Sequence, residues 1–175
     1  MSDERWSVRV SKDYTVFAAA HFITYGGGQC ERIHGHNYRV CAELWGPLDE
    51  NAYVFDFIAL KDVLREIVAE LDHRLILPGK SSLIRVEERE GEVWAVYEDR
   101  RWVVPAQDCV ILPIANTTAE LLGAWIAQQL VAKLQQRHGY RPQRVAVEVE
   151  ESPGQRARYE LALDRSFLES DPQAP

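Results

Sequence analysis

The segment Cys30-Glu31-Arg32-Ile33-His34-Gly35-His36 opens a stretch in which apolar and polar residues alternate as far as Trp45. An alternation with a period of two predicts a β-strand. Because side chains in a strand point alternately to opposite faces, His34 and His36 share one face. The apolar residues of the stretch are Tyr38, Val40, Ala42 and Leu44.

A third histidine, His21, lies in an earlier apolar segment that runs from residue 14 to residue 22. The loop between the segments, residues 25–29, contains three successive glycines. If the two strands pair across this loop, His21 comes close to His34 and His36. Three neutral imidazoles with an open fourth position are typical of a catalytic Zn²⁺ site. Two histidines on a solvated strand face are the alternative, and three imidazoles do not exclude nickel or iron.

Cys30 lies four residues before His34 and directly after the glycine loop. This position favours an exposed thiol, and a neighbouring Zn²⁺ would lower its pKa and make it a candidate base or nucleophile. A buried cysteine that acts only as a small apolar residue is the alternative. Cys41 and Cys109 are interpreted as structural.

The composition indicates a globular protein. The chain has 175 residues, 46% hydrophobic residues and a net charge of −7, and this charge argues against a nucleic-acid binder. No apolar run is long enough to span a membrane. The scattered cysteines and the polar N-terminal residues predict a cytoplasmic protein without a signal peptide.

Two helices are predicted after the histidine segment. Asp56 is a plausible N-cap for a helix whose apolar stripe ends near Asp72-His73. The segment Thr117-Thr118-Ala119-Glu120 is typical of a capping box for a second helix, which ends at His138-Gly139. Two strands follow, at residues 145–150 and 156–163.

These elements predict an α+β fold in the order β-β-α-α-β-β, with two helices on one face of an antiparallel sheet. We expect a single domain over residues 1–168 and a flexible tail over residues 169–175. Residues 81–113 interrupt the pattern with three short apolar segments, which predict an inserted β-meander. This insertion is either a surface decoration or a structure that covers the active site or alters the oligomer.

Other residues have a chemical and a structural interpretation. Asp72 and His73 either cap a helix end or take part in chemistry. Glu151 has the same parity as the valines of its strand, so its carboxylate projects to the apolar side and needs a partner such as a guanidinium-like ligand edge. Glu120 is most simply a capping-box residue.

The order of these motifs resembles the 6-pyruvoyl-tetrahydropterin synthase / 6-carboxytetrahydropterin synthase family. The resemblance extends from about Val8 to Tyr159 apart from the insertion. It implies the tunnelling fold, in which subunits form a homo-oligomeric barrel, a tetramer or hexamer, with active sites between subunits. It also implies a lyase that acts on the pterin triphosphate 7,8-dihydroneopterin triphosphate, with neither nucleic acid nor membrane as a partner. The segments that carry the resemblance are Ala19 to His21, Cys30 to Tyr38, Asp56-Phe57, Leu71 to His73, Thr117 to Glu120 and Val149 to Ser152.

The resemblance also implies a role for each candidate. His21, His34 and His36 would bind Zn²⁺, and Cys30 would be the general base. Asp72 and His73 would relay protons and could come from a neighbouring subunit. Glu151 would anchor the amino-pyrimidine edge of the pterin. The remaining substrate contacts would be Thr117, Thr118 and, less clearly, Glu120.

The product stays open. The spacing Cys-x-x-x-His-Gly-His is similar to the queuosine branch, whose 6-carboxytetrahydropterin synthase releases triphosphate and acetaldehyde. Glu31 fits a second spacing, Glu-x-x-His-Gly-His, of a branch that makes 6-hydroxymethyl-dihydropterin for folate. Because Cys30 and Glu31 satisfy both spacings, a dual activity is a further hypothesis. The same residues are also compatible with a 6-pyruvoyl-tetrahydropterin synthase, a metal-dependent pterin-binding module or a zinc hydrolase.

Overall fold

A computed structural model describes residues 4–163 of the chain. The predicted tail, residues 169–175, lies outside the described residues. No helix within the described part is long and apolar enough to cross a membrane. The helices are α1 Phe57–Ala69 and α2 Ala119–His138. The strands are β1 Ser7–His21, β2 Thr24–Tyr25, β3 Gln29–Cys30, β4 His34–Trp45, β5 Arg74–Pro78, β6 Arg85–Arg89, β7 Glu92–Tyr97, β8 Arg100–Pro105, β9 Cys109–Leu112, β10 Arg144–Ser152 and β11 Gln155–Ala162.

The two long strands β1 and β4 form the centre of the main sheet. They pair antiparallel from Ser7 opposite Trp45 to His21 opposite His34, with one irregularity between Ser11 and Val16. The predicted pairing across the glycine loop is therefore present. It fixes which residues of the two strands share a face.

Within residues 4–163, the main sheet has six strands in the order β11-β10-β4-β1-β5-β9. The predicted α+β fold with two helices and a sheet is confirmed. The predicted antiparallel sheet in β-β-α-α-β-β order is incomplete: β1, β4, β10 and β11 pair antiparallel, but β5 and β9 add to the sheet as strands parallel to β1. The sheet is therefore mixed.

Strand β5 was missed because its apolar residues do not alternate. Leu75, Ile76 and Leu77 are all buried, so the strand is an unbroken apolar run of the kind found in parallel sheets. Ile76 belongs to the core beneath the helices, whereas Leu75 and Leu77 belong to a second core on the other side. Helix α1 accordingly ends at Ala69, before the predicted end at Asp72-His73.

Both helices pack against the same core of the sheet. The Asp56 side chain accepts a hydrogen bond from the Ala59 backbone N–H at 2.7 Å and caps α1, as predicted. Gly139 ends α2 with a φ of 61°, a left-handed conformation that glycine adopts without a side-chain clash. The largest fully buried helix residues are Leu60, Leu64, Ile67, Leu122 and Ile126.

Strands β6, β7 and β8 form a separate three-stranded antiparallel sheet where the sequence predicts a meander. The predicted segment also contains β9, which belongs to the main sheet instead. The inner face of the three strands buries Val93, Ala95 and Tyr97 in the second core, together with Phe22 of the segment after β1. The small sheet is thus packed against the segment that leaves His21.

Candidate active site and metal centre

Three imidazoles converge where β1 ends and β4 begins. His21 and His34 are directly opposite each other, and His36 is opposite Ala19. Because opposite residues of an antiparallel pair project to the same face, the three histidines share that face. One ligand atom from each lies within 4.8 Å of the others. This group could hold a metal ion.

Backbone carbonyls orient two of the three rings. The Thr117 carbonyl accepts from His21 Nδ1 at 2.9 Å, and the Arg32 carbonyl accepts from His34 Nδ1 at 2.9 Å. Since a carbonyl only accepts, each Nδ1 holds a proton, and in the neutral ring the lone pair is then on Nε2. His21 Nε2 and His36 Nε2 are buried without a hydrogen-bond partner within residues 4–163. Burial also lowers the pKa of His21, so its ring favours the neutral form that binds metals.

Two carboxylates border the histidines. Glu151 Oε1 lies 3.2 Å from His21 Nε2 and 3.6 Å from His36 Nε2, and neither contact is a hydrogen bond. Glu31 Oε2 lies 3.9 Å from His34 Nε2 and accepts from the Ile23 N–H at 3.5 Å. The structure therefore brings Glu31 and Glu151 to the histidine cluster.

Tyr38 is a member of the site that the sequence did not single out. Its hydroxyl donates to Glu151 Oε1 at 3.3 Å, and its ring packs against His21 and His36. Burial, followed by the nearby Glu151 carboxylate, raises the pKa of Tyr38 well above its usual range, so the phenol stays a donor. The parity that Tyr38 shares with His34 and His36 was the signal that could have identified it.

Cys30 has different surroundings. It lies in the β2–β3 hairpin, whose turn residues Gly26, Gly27 and Gly28 all have positive φ. The half-buried thiol donates to the Glu31 carbonyl at 3.5 Å and contacts the second core. Burial raises the pKa of the Cys30 thiol, while the charge of Arg100 opposes this effect. The thiol therefore favours its protonated form.

Asp72 and His73 form a pair beside β1, and His73 lines a shallow cavity together with His36. Asp72 Oδ2 lies 2.9 Å from His73 Nδ1, and its Oδ1 accepts from the Ala18 N–H at 2.8 Å. Ala18 is three residues, about 10 Å, along the strand from His21. Burial would raise the pKa of Asp72, but the hydrogen bonds from Ala18 and His73 outweigh it and hold the pKa below the usual value. The His73 side chain is 83% exposed.

The residues at the start of α2 hold the end of β1 next to the histidine cluster. Thr117 is fully buried, and its hydroxyl donates to the Phe22 carbonyl at 2.9 Å. The N-cap is Thr118, which accepts from the Leu121 N–H, so Glu120 is an exposed residue of the first turn. The predicted capping box with Glu120 as its third helical residue is therefore wrong by one position, because Thr117 is engaged with Phe22.

Known proteins are similar to this chain over most of its length. Residues 9–162 match the family described as 6-pyruvoyl tetrahydropterin synthase. A Methanocaldococcus jannaschii protein with the provisional name 6-carboxy-5,6,7,8-tetrahydropterin synthase is 34% identical over 149 residues, 85% of this chain and 91% of that protein. A Pyrococcus horikoshii protein with the same provisional name is 33% identical over 150 residues, 85% of this chain and 87% of that protein.

A solved structure extends this similarity to the fold. The 6-pyruvoyltetrahydropterin synthase of Plasmodium vivax, in a form described as a mutant of a catalytic glutamate, is 32% identical, with a TM-score of 0.83 over 92% of this chain and 100% of that chain. With the match over residues 9–162, this similarity shows that the chain belongs to the 6-pyruvoyl tetrahydropterin synthase family.

Proposed function

We propose that the protein is a zinc-dependent 6-carboxy-5,6,7,8-tetrahydropterin synthase. It would convert 7,8-dihydroneopterin triphosphate with loss of triphosphate and acetaldehyde, a step of queuosine biosynthesis. The observation that carries the proposal is the convergence of His21, His34 and His36 next to two carboxylates. The name of the Methanocaldococcus jannaschii relative supports the choice of product.

The three Nε2 atoms are the proposed Zn²⁺ ligands. Two of them are buried without a hydrogen-bond partner among the described residues, and an ion would satisfy both. Zn²⁺ bound here would act as a Lewis acid and as a template for the side-chain hydroxyls of the substrate. The carbonyls of Thr117 and Arg32 keep two of the rings in the tautomer that this ligation requires.

Glu151 is the proposed anchor for the pterin. A carboxylate has about four lone-pair sites, and the Tyr38 hydroxyl occupies one of them in this structure. The remaining sites can accept two parallel N–H donors from an amino-pyrimidine edge. Tyr38 also limits how far Glu151 can turn, so the anchor keeps a fixed orientation next to the histidines. Thr118 and, less directly, Glu120 remain proposed substrate contacts. The fully buried Thr117 instead bonds Phe22 and His21 and would act by supporting His21.

Proton transfer is assigned to Cys30 and Glu31, with Asp72 and His73 as relay partners. The pair at Asp72 lies about 10 Å along β1 from His21, so we propose that it serves the site of a neighbouring subunit. Two observations support this assignment. The His73 side chain is 83% exposed, and its backbone has a φ of 57°, a strained conformation that is common at functional sites.

The proposed assembly is a homo-oligomeric barrel, a tetramer or hexamer of the tunnelling fold. Among the strands of residues 4–163, β11 and β9 form the two edges of the main sheet, and an edge strand offers backbone groups to another chain. Pairing at these edges would close the sheet into a barrel and place His73 of one subunit near the next. Sedimentation equilibrium would test this assembly directly.

A second candidate activity is cleavage of the substrate side chain to 6-hydroxymethyl-dihydropterin. The observation that favours it is the 3.9 Å distance from Glu31 Oε2 to His34 Nε2, which supports Glu31 as a second candidate base. The Plasmodium vivax protein, whose catalytic residue is described as a glutamate, supports this candidate. Both activities in one protein are compatible with the two bases.

The decisive experiment incubates the zinc-loaded protein with 7,8-dihydroneopterin triphosphate and identifies the products by mass spectrometry. Carboxytetrahydropterin with acetaldehyde supports the first activity, and 6-hydroxymethyl-dihydropterin alone supports the second. Cys30→Ala and Glu31→Gln assign each product to a base, with Cys109→Ala as the matched control. Binding without turnover would replace both activities with a pterin-binding module.

A further inference from the structure

Arg100, the first residue of β8, connects the small sheet to the segment that carries both candidate bases. Its Nη1 donates to the Cys30 carbonyl at 2.8 Å, and its Nη2 donates to the Glu31 carbonyl at 2.9 Å. The planar guanidinium fork thus holds two consecutive carbonyl groups at once. A lysine ammonium is a single point charge and lacks this fork geometry.

The guanidinium is itself held in place by aromatic packing. It lies over the Trp102 ring, 4.7 Å from the ring centroid, and Trp102 stacks on Phe22 at 4.5 Å. Phe22 is fully buried and directly follows His21 in the chain. A continuous stack therefore joins the end of β1 to Arg100.

The segment that Arg100 holds has little regular structure of its own. Strands β2 and β3 have two residues each, and three glycines connect them. Beyond β3, the Glu31 N–H donates to the Ile23 carbonyl at 3.0 Å. Residues 31–33 then lie outside any strand until β4 begins at His34. The two bonds from Arg100 are thus a large part of what fixes this peptide.

We propose that Arg100 is a positioning residue that fixes the Cys30–Glu31 peptide, so that strands β6 to β8 determine where both candidate bases lie. The structural part of the proposal stands on the two hydrogen bonds and the stack. Its catalytic part rests on the proposed function, because only a base that acts in the reaction needs a defined position.

The test compares Arg100→Gln and Arg100→Lys with the control Arg101→Gln. Arg101 is the next residue, is exposed, and packs over Trp94 on the outer face of the small sheet. Hydrogen exchange followed by mass spectrometry would report on residues 29–33. We expect exchange there to become about tenfold faster in Arg100→Gln, because the segment opens locally, and to be unchanged in Arg101→Gln.

Steady-state kinetics give the second measurement. We expect kcat to fall roughly 10- to 100-fold in Arg100→Gln, with KM changed less than about threefold, since displaced bases impair the reaction rather than substrate binding. Arg100→Lys should keep the fold but recover only part of kcat. Full recovery by lysine would overturn the two-carbonyl role, and so would an unchanged kcat or unchanged exchange in Arg100→Gln. If exchange accelerates in Arg100→Gln but the unaltered protein has no pterin turnover, the positioning role of Arg100 is supported and the proposed function is refuted.

Discussion

Replacement of Thr117 by valine should weaken both the fold and the metal site. The Thr117 hydroxyl donates to the buried Phe22 carbonyl at 2.9 Å, and valine keeps the shape of threonine but lacks this donor. A buried acceptor left without its partner costs about 1–3 kcal/mol. With about 2 kcal/mol lost, Tm should fall by roughly 4–8 °C for a chain of this size. Thermal and urea unfolding of the metal-free protein would measure the loss.

The same substitution should also reduce metal affinity, by up to about tenfold, because loss of the hydroxyl bond to Phe22 loosens the backbone whose carbonyl orients His21. Competition with a chromogenic chelator would measure it. Thr118→Val is the matched control, since it removes the N-cap of α2 and costs about 1 kcal/mol without touching His21. Equal metal affinities in the two variants would refute the role of Thr117, and an unchanged Tm in Thr117→Val would refute the energetic reasoning.

Three other predictions address separate parts of the site. His36→Ala should abolish stoichiometric zinc binding, whereas the control His138→Ala should keep it. Elemental analysis after dialysis measures the bound zinc, and zinc retained by His36→Ala would exclude His36 as a ligand. Gly35→Ala should destabilise the β1–β4 pair, because the added Cβ would lie 3.1 Å from the Ala19 carbonyl oxygen. A urea midpoint equal to that of the unaltered protein would contradict this prediction. Asp72→Asn should lower stability at neutral pH, because the pKa of Asp72 is lower in the folded protein than in the unfolded chain. The ionised carboxylate therefore stabilises the fold above the ordinary pKa of about 3.9, and this stabilisation is lost as the pH falls through the lower pKa of the folded state. Urea unfolding from pH 7 to pH 2.5 should show the two proteins converging in acid, and a constant difference would count against the linkage.

The histidine cluster could be predicted because its determinants are local in sequence. A glycine hairpin and two alternating strands fix which residues are opposite, so the pairing of His21 with His34 follows from short-range patterns. The parity of Glu151 likewise indicated a carboxylate on the buried side, and the structure brings it within 3.2 Å of His21 Nε2. Alternation with a period of two therefore predicted which of these residues share a face of the sheet.

The support of the cluster could not be predicted, because it comes from distant backbone groups. His21 and Thr117 are 96 residues apart, and Arg100 is 70 residues from Cys30. Every residue has a carbonyl, so no side-chain pattern marks the ones that accept from a histidine or an arginine. Strand β5 could not be predicted for a related reason, since an apolar run buried on both sides lacks the alternation that identifies a strand.

The histidine cluster lies where the two hydrophobic cores meet, and this position connects it to the packing of the small sheet. His21 and Phe22 are consecutive, with the first facing the histidine cluster and the second buried among the residues of β7. Thr117 contacts both, through its carbonyl to His21 and its hydroxyl to Phe22. A shift of Phe22 within the second core therefore moves His21 as well. The interpretation of residues 81–113 as a surface decoration does not account for this packing, since the strands within that segment form one wall of the core that holds Phe22.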